Sequence, residues 1–570
     1  MTHRLSHYAL LIALTALLTL PNLGTPSLWD MDEGVNAECT REMLETGTWV
    51  VPTYNYELRT AKPVMLYWLQ RFSYLAFGVN EWAARFPSVL LSLGTVLLVY
   101  ELGRRMFDGK VGLLAGVVLA SSIEFCKLAH AATPDATFLF FTTLTLTLFW
   151  MLKESRAWFV PTAMASALAV LTKGPAGLAL PGLVIVLYLI WNRQLKQLWD
   201  RRLITAGFAF LLVAAPWYGL VAAETRGAYI KAFFGNENVN RFLQPMESHS
   251  GPPVYYLGAI LVFFAPWSVV LGATLWYAIK NSRAKPPSHQ ESQTNDDIAS
   301  DNFATSRLGA RSISDHLQHR FLVCWFGVYL VFFSFAATKL PNYIAPLYPA
   351  MALLTASFLI AWARSIITPA KWVMPAATGG LVLTGTVITV ALLIMGGVLT
   401  VPSKGLRILP DLAPWAVLGL IPIAGAVATS IFLRRNQRGY VVQTLAIVAV
   451  SFVALLAAFP INVVDAAKAP KSLVAESGAK QLDRDIRLAS LDYTQESVTF
   501  YAQRRVERLR TAEAATEFLA MPRPGYLFVP AKVWDEQVMA TVGPHRIAAR
   551  RYDFYRNAEI LVVTNDGVTQ

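Results

Sequence analysis

The strongest constraint on this chain is a recurring feature: stretches of about twenty residues almost without charge, such as those around Val89–Tyr100, Val111–Ala120 and Val441–Phe459. A stretch of that length matches the roughly 30 Å hydrocarbon core of a bilayer. The composition agrees, since 55% of the 570 residues are hydrophobic and only 15% are charged. A soluble domain carries about 25% charged residues, so a soluble multidomain protein is excluded. The chain reads as an α-helical polytopic membrane protein.

The net charge of +12 does not indicate nucleic acid. Lys and Arg collect in short loops between the apolar stretches: Arg104, Arg105 and Lys110; Lys153 and Arg156; Arg193, Lys196, Arg201 and Arg202; Arg434, Arg435 and Arg438. That is the positive-inside pattern of a membrane protein. With those loops cytoplasmic, spans are expected near 8–23, 86–102, 111–129, 136–152, 157–172, 175–191, 203–222, 253–279, 320–337, 341–362, 372–399, 413–432 and 440–459, about thirteen by a window of around 19 residues. The first, Tyr8–Leu20 with its neighbours, lacks a small-residue cleavage site and is read as a retained helix rather than a signal peptide. An odd count with the N-terminus inside leaves the C-terminus outside.

The membrane part is expected to occupy 1–460. It contains a first external loop, 24–85, with short interfacial helices at Val35–Glu45 and Leu66–Phe77, and a Ser/Asn/Asp/Gln-rich cytoplasmic insert, 281–319, expected to be disordered. Segment 461–570 has soluble composition. Runs at Ile486–Leu491, Tyr526–Val529 and Ile560–Thr564 alternate there with helical patterns, which predicts a small external α/β domain. Cys39, Cys126 and Cys324 lack metal-ligand spacing and form no disulfide framework.

Ionisable groups at a membrane boundary are costly unless they are used or paired. The ones that topology does not explain fall on one expected side: Asp32 and Glu33, Lys62, Arg85, Asp135, Lys173, Glu237, Arg241, His249 and Lys339. Each has an ordinary reading too. Asp32 and Glu33 suit the first turn of a helix, Asp135 after Pro134 suits an N-cap, and Lys62 and Lys339 suit snorkelling to headgroups. Their common side is what singles them out, because cations there run against the positive-inside bias. An anionic ligand at the outer face supplies the missing reason.

Several segments carry a family resemblance: Asp32-Glu33-Gly34-Val35-Asn36-Ala37-Glu38, Gly47-Thr48-Trp49-Val50-Val51-Pro52, Lys62-Pro63-Val64-Met65-Leu66-Tyr67-Trp68-Leu69, Arg85-Phe86-Pro87-Ser88, Thr172-Lys173-Gly174-Pro175, Asn240-Arg241-Phe242 and Thr338-Lys339-Leu340-Pro341-Asn342-Tyr343. Together they resemble the bacterial GT-C glycosyltransferases of the lipid A aminoarabinose transferase type and, more distantly, the protein O-mannosyltransferases. The resemblance implies a GT-C-like membrane domain with a small external α/β domain. It implies transfer of a pentose or hexose from a polyprenyl-phosphate donor to a hydroxyl on a lipid A-like glycolipid or other envelope acceptor, with inversion, at the outer face of the bacterial inner membrane.

By the same resemblance Asp32 is expected as catalytic base, with Glu33 and Asp135 in the catalytic group. Lys62, Arg241, Lys339 and Arg85 are expected on the donor phosphate, and Tyr343 and His249 at the substrates. The chain departs from the aminoarabinose pattern in having Val35-Asn36 where an Arg-Tyr pair is usual, and Ala61 where a Glu precedes the Lys-Pro run. That Glu is associated with metal binding, so its absence speaks against a divalent metal, and no cofactor is assigned. A protein O-mannosyltransferase-like activity and a flippase for lipid-linked glycans are the alternatives. No internal repeat supports the flippase.

Overall fold

A computed structural model of the chain describes residues 2–240, 243–244, 251–283, 303–401 and 407–567, with only the backbone described over 303–315. Most of these residues are helical, and five of the seven strands lie in the C-terminal part. Among the described residues, seven helices are long and apolar enough to cross a bilayer, or up to nine if each of two bent pairs is one span. Shorter apolar helices, Phe159–Lys173 and Ala176–Trp191 among them, complete the bundle.

Local signals set the helix ends. Asn80 caps helix Glu81–Met106 by accepting from Ala83 N at 2.9 Å. Asp108 caps the next helix, Gly109–Ala120, by accepting from Lys110 N and Val111 N at 2.8 and 3.0 Å. Such caps satisfy first-turn N–H groups that have no partner within the helix. The two helices cross closely at Gly112, where a Cβ would lie 2.4 Å from the Tyr100 carbonyl oxygen.

Two expected spans are broken. The 111–129 span bends by 68° between Ala120 and Ile123. The 253–279 span bends by 117° between Phe263 and Trp267, around Pro266. Ser121 and Trp267 face each other at the two breaks, the indole Nε1 donating to Ser121 Oγ at 3.0 Å. Helix Tyr348–Ala363, entered through a 3-10 turn at Pro341–Leu347, is the centre of the bundle: 94% of its span window is buried. The span expected at 320–337 falls, up to Phe335, in a longer helix, Phe303–Phe335. The described part of the expected disordered insert is therefore helical from residue 303, and 284–302 lie outside the described residues.

The segment after the first helix, 24–85, folds as helix Glu33–Glu45, a two-stranded hairpin of β1 (Thr53–Tyr54) and β2 (Glu57–Leu58), and helix Met65–Phe77. Helix Glu33–Glu45 is buried along most of its length rather than lying at an interface. The C-terminal domain is a five-stranded sheet of β3 (Arg487–Leu491), β4 (Val506–Leu509), β5 (Gly525–Pro530), β6 (Arg546–Asp553) and β7 (Ala558–Thr564), in the order β4-β3-β5-β7-β6. β3 is parallel to β4 and β5, while β7 is antiparallel to β5 and β6. Asn55 of the hairpin fits against the β4 edge, exchanging hydrogen bonds with the Val506 backbone, both 2.9 Å.

Candidate functional site

The site is built on the turn at residues 27–34, between the first helix and helix Glu33–Glu45. Met31 adopts φ of +66° in that turn, unusual for a residue with a side chain. The C-terminal domain holds the turn from outside. Ser27 donates through N and Oγ to Asp465 at 2.8 and 2.6 Å, Leu28 N donates to the Tyr501 hydroxyl at 2.7 Å, and Asp30 accepts from Ser497 N at 2.7 Å. Lys468 closes the set, donating to the Ser27 carbonyl at 2.7 Å with its ammonium 4.8 Å from the Trp29 ring centre.

Asp32 and Glu33 take different places on this frame. The Glu33 carboxylate is buried in a two-pronged ion pair with Arg85, with Nε and Nη2 at 2.8 and 2.7 Å. Its two oxygens also accept from Trp29 N and Ala132 N. Burial alone would raise its pKa, but Arg85 and these backbone donors hold it below the ordinary carboxylate range. Arg85 also donates to the carbonyls of Leu23, Pro26 and Ser27. Glu33 and Arg85 thus tie helix Glu81–Met106 to the turn, with the Glu33 oxygens fully engaged inside the protein. Asp32 sits at the N-cap position of helix Glu33–Glu45, yet its side chain makes no capping hydrogen bond and is exposed.

Asp32 opens onto a cavity of about 440 Å³. Glu33, Arg85 and Asp135 also line it, so four of the expected residues meet in one place. Asp135 lies in the first turn of helix Pro134–Met151, after Thr133 as N-cap, and pairs with Lys173 at 2.6 Å and Asn342 Nδ2 at 3.1 Å. Thus Thr172-Lys173-Gly174 and Leu340-Pro341-Asn342 converge on one carboxylate. Ile123, Leu128, Val453, Leu456 and Ile461 form an apolar wall. The lining thus combines acidic and basic side chains with apolar ones, a mixture suited to an amphiphile.

The other expected residues stand elsewhere. The Lys62 carbonyl accepts from the Tyr229 hydroxyl at 2.8 Å, and Lys62 is outside the cavity lining. Lys339 is buried and donates to the Phe333 and Ser334 carbonyls at 2.9 and 2.5 Å, closing the C-terminus of helix Phe303–Phe335. Tyr343 lies beside Lys173, whose ammonium is 5.9 Å from its ring centre. Arg241 and His249 lie outside the described residues.

Three basic groups on the cavity escape the sequence reading: Lys127, His130 and Lys468. Lys127 pairs with buried Glu124 at 2.9 Å while its side chain remains 47% exposed. Lys127 and His130 lie inside an expected span or at its end, and Lys468 lies in the soluble segment, so hydropathy conceals all three. Among the described residues, no group of three or more His, Cys, Asp or Glu side chains is placed to hold a metal ion.

The bent helices, the buried central helix and the loop docked under an α/β domain make up a fold that a solved membrane protein shares. ArnT from Cupriavidus metallidurans, crystallised with bound undecaprenyl phosphate, has this fold: the two chains superpose with a TM-score of 0.78 over 98% of each, at 22% identity. A family model described as dolichyl-phosphate-mannose-protein mannosyltransferase matches residues 61–219. An uncharacterized protein of Aquifex aeolicus is 31% identical over 335 residues, 58% of this chain and 68% of its own. The undecaprenyl phosphate-alpha-4-amino-4-deoxy-L-arabinose arabinosyl transferase 2 of Proteus mirabilis is 31% identical over 369 residues, 62% of this chain and 60% of its own. The chain belongs to the GT-C family of membrane glycosyltransferases that resemble aminoarabinose transferase. It spans less than two thirds of the length of the curated transferases it matches.

Proposed function

We propose that the protein transfers a pentose or hexose from a polyprenyl-phosphate donor to a hydroxyl of an envelope glycolipid, at the outer face of the inner membrane. The observation that carries this reading is the exposed Asp32 carboxylate on a cavity lined by both charged and apolar side chains. The lipid-phosphate donors printed in the names of the related proteins support it.

The acceptor oxygen attacks the anomeric carbon as Asp32 takes its proton. The bond from that carbon to the phosphate oxygen breaks, and the electron pair leaves with the lipid phosphate. One displacement inverts the anomeric centre. Charge growing on the leaving phosphate needs fixed cations in a partly dehydrated site. Lys62 and Arg241 fill that role by family resemblance, and Lys127 stands on the cavity itself. Lys339 contributes by holding the turn before Pro341 rather than by contact.

The test is transfer from a labelled polyprenyl-phosphate sugar by the purified full chain in detergent. Asp32→Asn should abolish transfer while the variant inserts and melts like the parent; near-normal transfer would remove Asp32 as base. Because no vesicle is present, any transfer also rules out a flippase as the whole function. The mannosyltransferase description of the matched family model supports a second reading, with a protein Ser or Thr hydroxyl as acceptor. Mass spectrometry of envelope glycolipids and glycoproteins with and without the gene separates the two.

A further inference from the structure

A second cavity, of about 710 Å³, lies where the end of helix Glu33–Glu45 and the hairpin meet the C-terminal domain. Arg487, Arg504, Arg505 and Arg523 line it, against the carboxylates Glu45 and Glu507. Glu45 is already paired with Arg41 at 2.7 Å and accepts from the Tyr56 hydroxyl at 2.8 Å.

The two inner arginines are oriented but not neutralised. Arg487 donates to the carbonyls of Phe518 and Arg523 at 2.9 and 2.7 Å and lies over the Phe518 ring, 4.4 Å from its centre. Arg504 donates to the carbonyls of Gln481 and Arg484, the latter at 2.6 Å. Both keep a buried Nε with no hydrogen-bond partner. Carbonyls fix a guanidinium in place without cancelling its charge. The two outer arginines meet exposed acids at the surface, Arg505 with Glu57 at 3.6 Å and Arg523 with Asp485, and such pairs are weak. The result is a groove with four guanidinium groups against two carboxylates, of which Arg41 already holds Glu45.

We propose that this groove binds the phosphate-bearing saccharide headgroup of the acceptor. The term acceptor rests on the transferase reading above; the binding of a phosphorylated saccharide does not. Fixed guanidinium groups match phosphate oxygens in pairs, which a hydrated ammonium does not do. Distance excludes the donor phosphate. Asp32 starts helix Glu33–Glu45 and Glu45, on the groove, ends it. Thirteen residues of helix at 1.5 Å each separate the two by about 20 Å. A phosphate whose bond breaks beside Asp32 cannot reach the groove, whereas a charged part of the acceptor remote from its reacting hydroxyl can. Binding energy from such a remote group orients the acceptor at the transfer site.

The test uses the full chain in detergent, titrated without donor. The probes are a bisphosphorylated hexosamine disaccharide without acyl chains, the same disaccharide without phosphates, and inorganic phosphate alone. The bisphosphorylated probe should bind, with affinity falling as salt rises, and the other two should bind at least about tenfold more weakly, a step of about 1.4 kcal/mol. R505Q/R523Q removes two exposed side chains, so folding is retained, and should weaken the bisphosphorylated probe about tenfold. R487Q/R504Q should weaken it further. Unchanged binding in R505Q/R523Q, equal binding of the phosphate-free disaccharide, or equal binding of inorganic phosphate would each overturn the proposal. Binding without sugar transfer would overturn the transferase reading and leave the groove standing. Transfer with an unchanged acceptor KM in R505Q/R523Q would do the reverse.

Discussion

Glu33 shares its carboxylate among a guanidinium and two backbone N–H groups, all inside the protein, while its neighbour Asp32 faces a cavity. Removing one partner of a buried, hydrogen-bonded ion pair leaves the other charge stranded, at a cost of about 3–5 kcal/mol. Glu33→Ala should therefore lower the melting temperature of the purified protein sharply. Asp32→Ala, at an exposed side chain, should lower it less than Glu33→Ala does, while abolishing transfer. Equal melting losses in the two variants would undo this division of roles. The pair Asp32-Glu33 stands out in the sequence as a unit, but the different surroundings of its two carboxylates are not legible there. Those depend on Arg85, 52 positions away, and on the turn that aims it. Likewise the sequence does not show that the Lys339 ammonium, expected on the donor phosphate, donates to carbonyls at a helix end. Lys173, visible in sequence as an unexplained cation, finds its explanation in Asp135.

The turn at 27–34 is an element shared by two parts of the molecule, and the C-terminal domain acts on the site through it. A Cβ on Gly34 would lie 2.9 Å from the Ser497 Cα and N. Those are backbone atoms and cannot rotate away. Gly34→Ala should push the domain off the turn, lower transfer by at least tenfold and speed proteolysis at the domain junction; normal transfer would show that docking does not set Asp32. Asp30, at the same contact, gives a pH signature. Burial pushes its carboxyl up to about 7, against the pull of Ser497, from about 3.9 in an unfolded chain. The folded state then holds more protons between those values, so this group's contribution falls as pH rises from about 4 to 7. Asp30→Asn should flatten the melting temperature over that window, and an unchanged pH profile would exclude Asp30 as its source. The sheet of this domain shows what sequence patterning can reveal. β3, β5 and β7 are interior strands and form the apolar runs that the sequence displays. β4 and β6 are the two edges; Val506–Leu509 and Arg546–Asp553 carry charges that guard against edge pairing, and so they raise no apolar signal. The breaks in the 111–129 and 253–279 spans are hidden likewise, because the residues on both sides of each break are apolar.

Across the whole molecule, one helix measures the distance between the two ends. Glu81–Met106 carries Arg85 in the Glu33 pair near its start and Arg104 and Arg105 in its last turn. Twenty residues at 1.5 Å each is about 30 Å, the thickness of the hydrocarbon core. The basic end is tied together by Arg105 on Glu154, Arg364 on Asp108, and Arg320 on Asn192. The other end gathers Asp32, Asp135 and the docked C-terminal domain. Since Asp30, Ser27 and Leu28 bond directly to that domain, it must share a side with Asp32 whatever the number of spans. By the positive-inside rule the basic end is expected to face the cytoplasm. The three native cysteines are buried, so introduced ones report without background. In spheroplasts, an impermeant maleimide should label Lys532→Cys, whose parent side chain is 82% exposed on the C-terminal domain. It should reach Arg435→Cys, at an exposed basic loop, only after the membrane is opened. Labelling of both positions from one side would refute the placement of the basic end and the C-terminal domain on opposite faces of the membrane. The reverse pattern would keep the site whole but turn it inward, where a lipid-phosphate donor would have to be used on the cytoplasmic face.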